Sequence, residues 1–163
     1  MFYRVISYLR FLLRATNQHG VHSPFVYKYI TQCLYKKTTV KEPKCIIVLF
    51  KSIPYFNVHN TSVSDKNTRL VQKIAEQFPN LMFEQAPFDL IYLEKPSQSF
   101  LDNKNIHNDT IVILNNIHQT KTNTAIWKNI ILSTQLSVTI DLYNCGIVFF
   151  RKEQAKEHFK IRI

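Results

Sequence analysis

The run Cys45-Ile46-Ile47-Val48-Leu49-Phe50 is continuously apolar, and no glycine follows it until Gly146. A short apolar run bounded by polar residues predicts the first core strand of an α/β domain. The missing glycines then limit what can follow such a strand. A turn that presses bare backbone N–H groups against a nucleotide-type ligand uses glycine because it lacks Cβ. The turn expected here, Lys51-Ser52-Ile53-Pro54-Tyr55-Phe56, is bulky, and its proline has no N–H to donate. With two glycines in 163 residues, against about eleven at average usage, tight turns pass to Asn, Pro and Ser, as in Pro79-Asn80 and Asn103-Lys104-Asn105.

The rest of the chain reads as alternating helices and strands. Residues 2–15 have helix-forming content, with Arg10 and Arg14 one turn apart on a polar stripe. That helix is expected to stop at Asn17-Gln18-His19-Gly20, with Gly20 in the left-handed capping conformation. A second helix is expected from Ser23-Pro24, an N-cap followed by proline at the first position, to about Lys36. The two make an N-terminal helical hairpin over 1–37, joined by a polar linker to an α/β part over 44–163, all in one folding unit.

Beyond the strand at 45–50, residues 55–61 suggest a second strand. A helix is expected from Ser64-Asp65, with Leu70, Val71, Ile74 and Phe78 at helical spacing, and Leu81-Met82-Phe83 suggests an edge strand. The runs 88–94 and 110–116 have the form of strands buried on both faces. A helix centred on Trp127 covers 122–133, and 136–142 and 146–151 form a hairpin. The whole predicts a Rossmann-like three-layer α/β sandwich, its sheet mostly parallel with an antiparallel strand near the C-terminus.

Charge is concentrated at the ends. Residues 1–51 hold nine Lys and Arg against one acid, residues 52–150 seven against eight, and residues 151–163 five against two. If the ends meet in space they create a basic face, suited to RNA, DNA or an anionic bilayer. The three cysteines, Cys33, Cys45 and Cys145, lie far apart without CxxC spacing and read as small buried hydrophobes of a reducing, cytoplasmic setting. No apolar run reaches 18 residues, so no transmembrane segment is expected.

Three blocks carry a family resemblance: FLLRATNQHGVHSPFVY at 11–27, FDLIYLE at 88–94 with TIVILNNIHQTKTNTAIW at 110–127, and IDLYNCGIVFFRKEQAKEHFKIRI at 140–163. Together they resemble class I S-adenosylmethionine-dependent methyltransferases of the type found in Bacteroidota, with an HGVHSPF-like N-terminal signature. The resemblance implies a seven-stranded Rossmann-like sheet with S-adenosylmethionine at the carboxyl ends of the first strands. It also implies a glycine-rich ExGxxxG loop, which would fall at Leu49 to Tyr55, and neither its acid nor its glycines are present there. Ser52 in that turn is the polar residue left at the cofactor position, and Asp65 is the acid left to hold the ribose hydroxyls, with an N-cap role as its structural alternative. Relatives carry an aspartate pair before Ile-His, where this chain has Asn115-Asn116-Ile117-His118. Two neutral amides supply neither charge nor base.

Only 37 residues separate Phe50 from Phe88, whereas two helices and two strands with their loops normally need roughly 50 or more. The loss of a helix from the cofactor half is therefore expected, and with it weak or no cofactor binding. His118, with Glu94 at the neighbouring strand end to orient it, is the catalytic candidate. His19 and His22 belong to the signature and read as turn residues or as ligand-binding groups of an active ancestor, without a metal. Two functions stay open: a methyltransferase-like protein with a degenerate cofactor site, or a non-catalytic interaction protein. In the second, the basic, aromatic termini meet a partner chain, RNA or an anionic membrane surface, and the aromatic N-terminal helix favours a homodimer or packing on the sheet.

Overall fold

The computed structural model describes residues 2–64 and 67–163. Among them, seven strands form one sheet: β1 Asn60–Val63, β2 Met82–Phe83, β3 Phe88–Leu93, β4 Ile106–Asn115, β5 Val138–Asp141, β6 Cys145–Phe149 and β7 Glu157–Lys160. The order is β2-β1-β3-β4-β6-β5-β7, parallel throughout except for β6, which runs antiparallel to both β4 and β5. Side chains on the central strands alternate between two cores, as the two-residue period of a strand requires. Leu90, Tyr92, Ile111 and Ile113 enter one, and Ile91, Val112 and Leu114 enter the other. The α/β architecture with helices on both faces is the one the alternating pattern predicts.

The run at 45–50 is the main correction. It lies in a helix, α3, Lys44–Tyr55, and not in a strand. Cys45, Ile46, Val48, Leu49, Phe50, Ser52 and Ile53 are all buried, so the helix is apolar around most of its circumference. Such a helix has no polar stripe to reveal its period, and six residues of it cannot be told from a buried strand. Lys51 is held by the carbonyl oxygens of Leu34 (2.7 Å) and Lys36 (2.5 Å), groups that the end of the preceding helical segment leaves free. The strand expected over 55–61 is correspondingly displaced to β1.

Two further helices share the first core with α3. Ser23 caps α2, Pro24–Tyr29, through its hydroxyl and the Val26 N–H, and the helix continues as a π-turn over Ile30–Leu34. Helix α4, Thr68–Gln77, is capped by Asn67, whose side chain accepts from the Leu70 N–H; the expected start at Ser64-Asp65 is thus moved, and Asp65 lies outside the described residues. Among the described residues, the strands and α-helices between β1 and β3 are α4 and β2, and residues 84–87 join β2 to β3. The expectation of a lost helix counted its 37 residues from Phe50 as the end of a strand, and with 45–50 in α3 that count no longer measures a strand-to-strand spacing.

On the opposite face, α5, Lys121–Leu132, lays Trp127 against Ile91, Val112 and Leu114. Gly146 sits in β6 and not in the turn before it, and only glycine fits there, since a Cβ would come within 2.7 Å of the Trp127 ring. The turn itself is carried by Tyr143, at φ 68°.

The N-terminal helix α1, Phe2–Arg14, meets Tyr143 and α5, whereas α2 packs into the first core, so the two arms of the expected hairpin address different parts of the sheet. The segment between them runs beside the sheet edge, the Thr16 N–H donating to the Lys160 carbonyl (2.8 Å) and the Arg162 N–H to that of Thr16 (3.0 Å). Gly20 does not adopt a left-handed conformation. It is required instead by a close approach, since a Cβ would lie 2.1 Å from Thr16 Oγ1. All three cysteines are free and buried, and burial pushes the Cys33 thiol up to about 12. Among the described residues, no helix is long and apolar enough to cross a membrane.

Candidate functional site

The carboxyl ends of the parallel strands divide into two regions. At the first, around β1, β2 and β3, the polar groups satisfy one another. The acid following the second strand in chain order is Glu84; it accepts from the Ser62 hydroxyl and from the Val63 N–H, both at 2.9 Å. The Ser64 hydroxyl accepts from the Glu94 N–H (3.1 Å). The Glu94 carboxylate takes the Tyr92 hydroxyl (2.8 Å) and the Asn115 amide (3.0 Å), and its main-chain carbonyl takes the Asn116 amide (3.4 Å). Burial drives the Tyr92 phenol far above its usual range, with the neighbouring Cys45 and Glu94 adding to the effect, so it stays a neutral donor.

At the second region, around β4, β5 and β6, His118 pairs with an acid that the sequence did not single out. Its Nε2 lies 2.8 Å from Asp141 Oδ2, and its Nδ1 lies 3.1 Å from Thr124 Oγ1. Asp141 ends β5 and is buried. It also accepts from Trp127 Nε1 (3.3 Å) and from the Tyr143 N–H (2.8 Å). Burial pushes the Asp141 carboxyl up, but the His118 contact and the Tyr143 N–H outweigh it and hold the group below its usual value. The Tyr143 ring stacks on His118 at 5.3 Å, and its hydroxyl donates to the Arg4 carbonyl (2.7 Å). Tyr3 donates to Thr124 Oγ1 (2.7 Å). His118 is thus the post on which α1 is mounted.

Between α1 and α5 lies a cavity of about 930 Å³, within the range of small-molecule sites. Arg10, Arg14, Lys121, Lys128, Lys160 and His118 line it, and among the described residues no acid does. Convergence of the chain ends produces this, since Lys160 at the end of β7 stands beside the segment that leaves α1.

The expected site residues are therefore scattered. Glu94 is with Asn115 and Asn116, apart from His118, whose partner is Asp141. Ser52 cannot face a cofactor: it is fully buried on α3, donating to the Val48 carbonyl and bonded to the Tyr29 hydroxyl, both at 2.7 Å. His19 and His22 are exposed and outside the cavity, and no cluster of metal-ligating side chains occurs among the described residues. Asp141 had a signal in the sequence, an acid closing a short apolar strand just as Glu94 closes FDLIYLE. Glu84 likewise follows directly on the edge strand expected at 81–83, but only the displacement of the first strand to β1 makes that strand the second in the chain. No family model, no curated protein and no solved structure matches this chain.

Proposed function

We propose that this chain is a protein of methyltransferase descent whose cofactor half has become scaffold, and that it works by binding an anion in the cavity between α1 and α5. The observation that carries this reading is the lining of that cavity, five cationic side chains with no acid among the described residues. One sign of charge against apolar walls focuses the field and raises the local concentration of an anion. Phosphate or carboxylate is the chemistry such a lining selects, with the two arginines supplying forked donors.

S-adenosylmethionine does not suit the residues at the other region. Its ribose needs a free carboxylate, and among the described residues those of Glu84 and Glu94 are already engaged by protein donors. The sequence that follows β1, residues 64–67, holds no glycine, the residue that lets a backbone approach a ligand most closely. Methyl transfer is not assigned. In this reading His118 serves to position Thr124 and Tyr143, its ring nitrogens meeting Asp141 and Thr124.

Calorimetric titration with inorganic pyrophosphate and, separately, with S-adenosylmethionine tests this reading. Pyrophosphate should bind, more weakly as salt rises, and Arg10→Glu with Lys128→Glu should weaken it at least about tenfold. S-adenosylmethionine binding at or below ~10 μM, worth roughly −7 kcal/mol, with no response to pyrophosphate, would overturn the proposal and restore the cofactor site.

A further inference from the structure

Helix α1 is amphipathic in an unusual sense. Its polar and aromatic groups Tyr3, Ser7 and Phe11 turn toward the protein, while Phe2, Val5, Ile6, Leu9 and Leu13, spaced three and four apart, form an uncovered stripe on the other side. Phe2 and Leu13 are 85% and 87% exposed. Scattered exposed apolar residues need no explanation, but a stripe along a whole helix marks a surface that is covered in use.

We infer that α1 docks on the surface of an anionic lipid bilayer, its apolar stripe entering the acyl–headgroup boundary and the cavity beside it receiving lipid phosphate. The inference rests on the anion-binding reading and names its ligand. Two features single out this occupant. The first is charge complementarity: no Asp or Glu precedes Glu42, so α1 carries Arg4, Arg10 and Arg14 and no acid. A second copy seated on the same stripe brings these cations together without a counter-charge, and like charges at that distance oppose pairing. An anionic bilayer supplies the missing charge over its whole area.

The second feature is continuity. Phe2 and Ile6 belong to both the stripe and the cavity wall, so a bilayer that takes the stripe also faces Arg10, Arg14 and Lys128. These side chains can lay their methylenes along the apolar surface while their charges reach phosphate. RNA, the other polyanion, would use the cations and leave the aliphatic groups Val5, Ile6, Leu9 and Leu13 without a role. Thirteen helical residues are too few to span a bilayer and are suited to lying in its plane.

Sedimentation with vesicles of phosphatidylcholine, with and without about one third phosphatidylglycerol, tests the inference. The chain should bind the anionic vesicles at least about tenfold more tightly than the neutral ones. The double variant Leu9→Ser, Leu13→Ser should lose at least about tenfold of that affinity, while its pyrophosphate binding stays unchanged, which also reports an intact fold. Retained vesicle binding by the double variant, or no vesicle binding by the unaltered chain, overturns the membrane inference but leaves anion binding standing. Lipid-free dimers that the same variant dissociates would give the stripe to a second copy, and tight RNA binding insensitive to it would give the cations to nucleic acid. Either result also overturns the inference. Loss of pyrophosphate binding in the unaltered chain removes the underlying reading as well.

Discussion

The two regions of the carboxyl edge use the same kinds of residue for opposite ends. Around β1 to β3, two glutamates, two serines, a tyrosine and two asparagines hydrogen-bond one another, leaving the carboxylates with partners of their own. Around β4 to β6, a single buried aspartate gathers His118, Trp127 and the Tyr143 N–H, and through His118 and Tyr143 it anchors a helix that overhangs a basic cavity. A polar cluster closed on itself is structural, whereas one that stops short of its surrounding cations leaves them available for a ligand. The difference follows from connectivity: a four-residue link between β2 and β3 draws the first region shut, while α1 is added over the second from outside the sheet.

The comparison can be broken most decisively at Trp127. It is fully buried, touches both central strands and donates to Asp141. Truncation to Ala should cost about 3–5 kcal/mol, comparable to the whole stability of a marginal domain, and the denaturant midpoint should fall accordingly. A small shift would mean that the second region is less tightly packed than its contacts imply.

Next in size is Asp141→Ala, which strands a partly buried imidazole, a buried indole N–H and a main-chain N–H. A loss of roughly 1–3 kcal/mol is expected. Hydrogen exchange should also reveal faster opening of α1, because its mount passes through His118 and Tyr143. Unchanged protection of α1 would separate the helix from the aspartate and undo the proposed linkage.

Acid should act on this region in two stages. Burial holds the His158 imidazole below its ordinary 6.5, so the unfolded chain binds more protons there, and stability is lost as pH falls below about 6.5. Asp141 is held below 3.8; its contribution is present above that value and is lost as pH falls through the folded pKa. Chemical denaturation across pH 8 to 3 should show both declines, and His158→Phe should remove the first. If the first decline survives that replacement, another group is responsible.

The smallest effect is expected in the first region. Glu84 is exposed, so Glu84→Gln should shift stability by less than about 1 kcal/mol, as surface changes usually do. A clearly stabilising result would indicate that its charge is kept for a ligand at a cost in stability, and would reopen the first region as a working site.

Much of this was legible before the structure. Local periodicity marks α1, α4 and α5, and continuous apolar runs mark β3 and β4, because helix and strand each impose a spacing that a short window records. The Ser23-Pro24 start of α2 followed from capping chemistry. The same periodicity failed at Cys45 to Phe50, where burial on nearly every side erased the polar stripe.

Amino-acid order by itself fixed composition, the cationic ends and most of the elements, since these depend on neighbours within a few residues. Tertiary structure decided which acid meets His118, because Asp141 lies 23 residues away and reaches it only through the sheet order β4-β6-β5. It also decided that the two basic ends share one cavity, which required β7 to pair beside Thr16, and that the apolar stripe of α1 faces outward. A helix has two sides, and only the body it packs on determines which one is left uncovered.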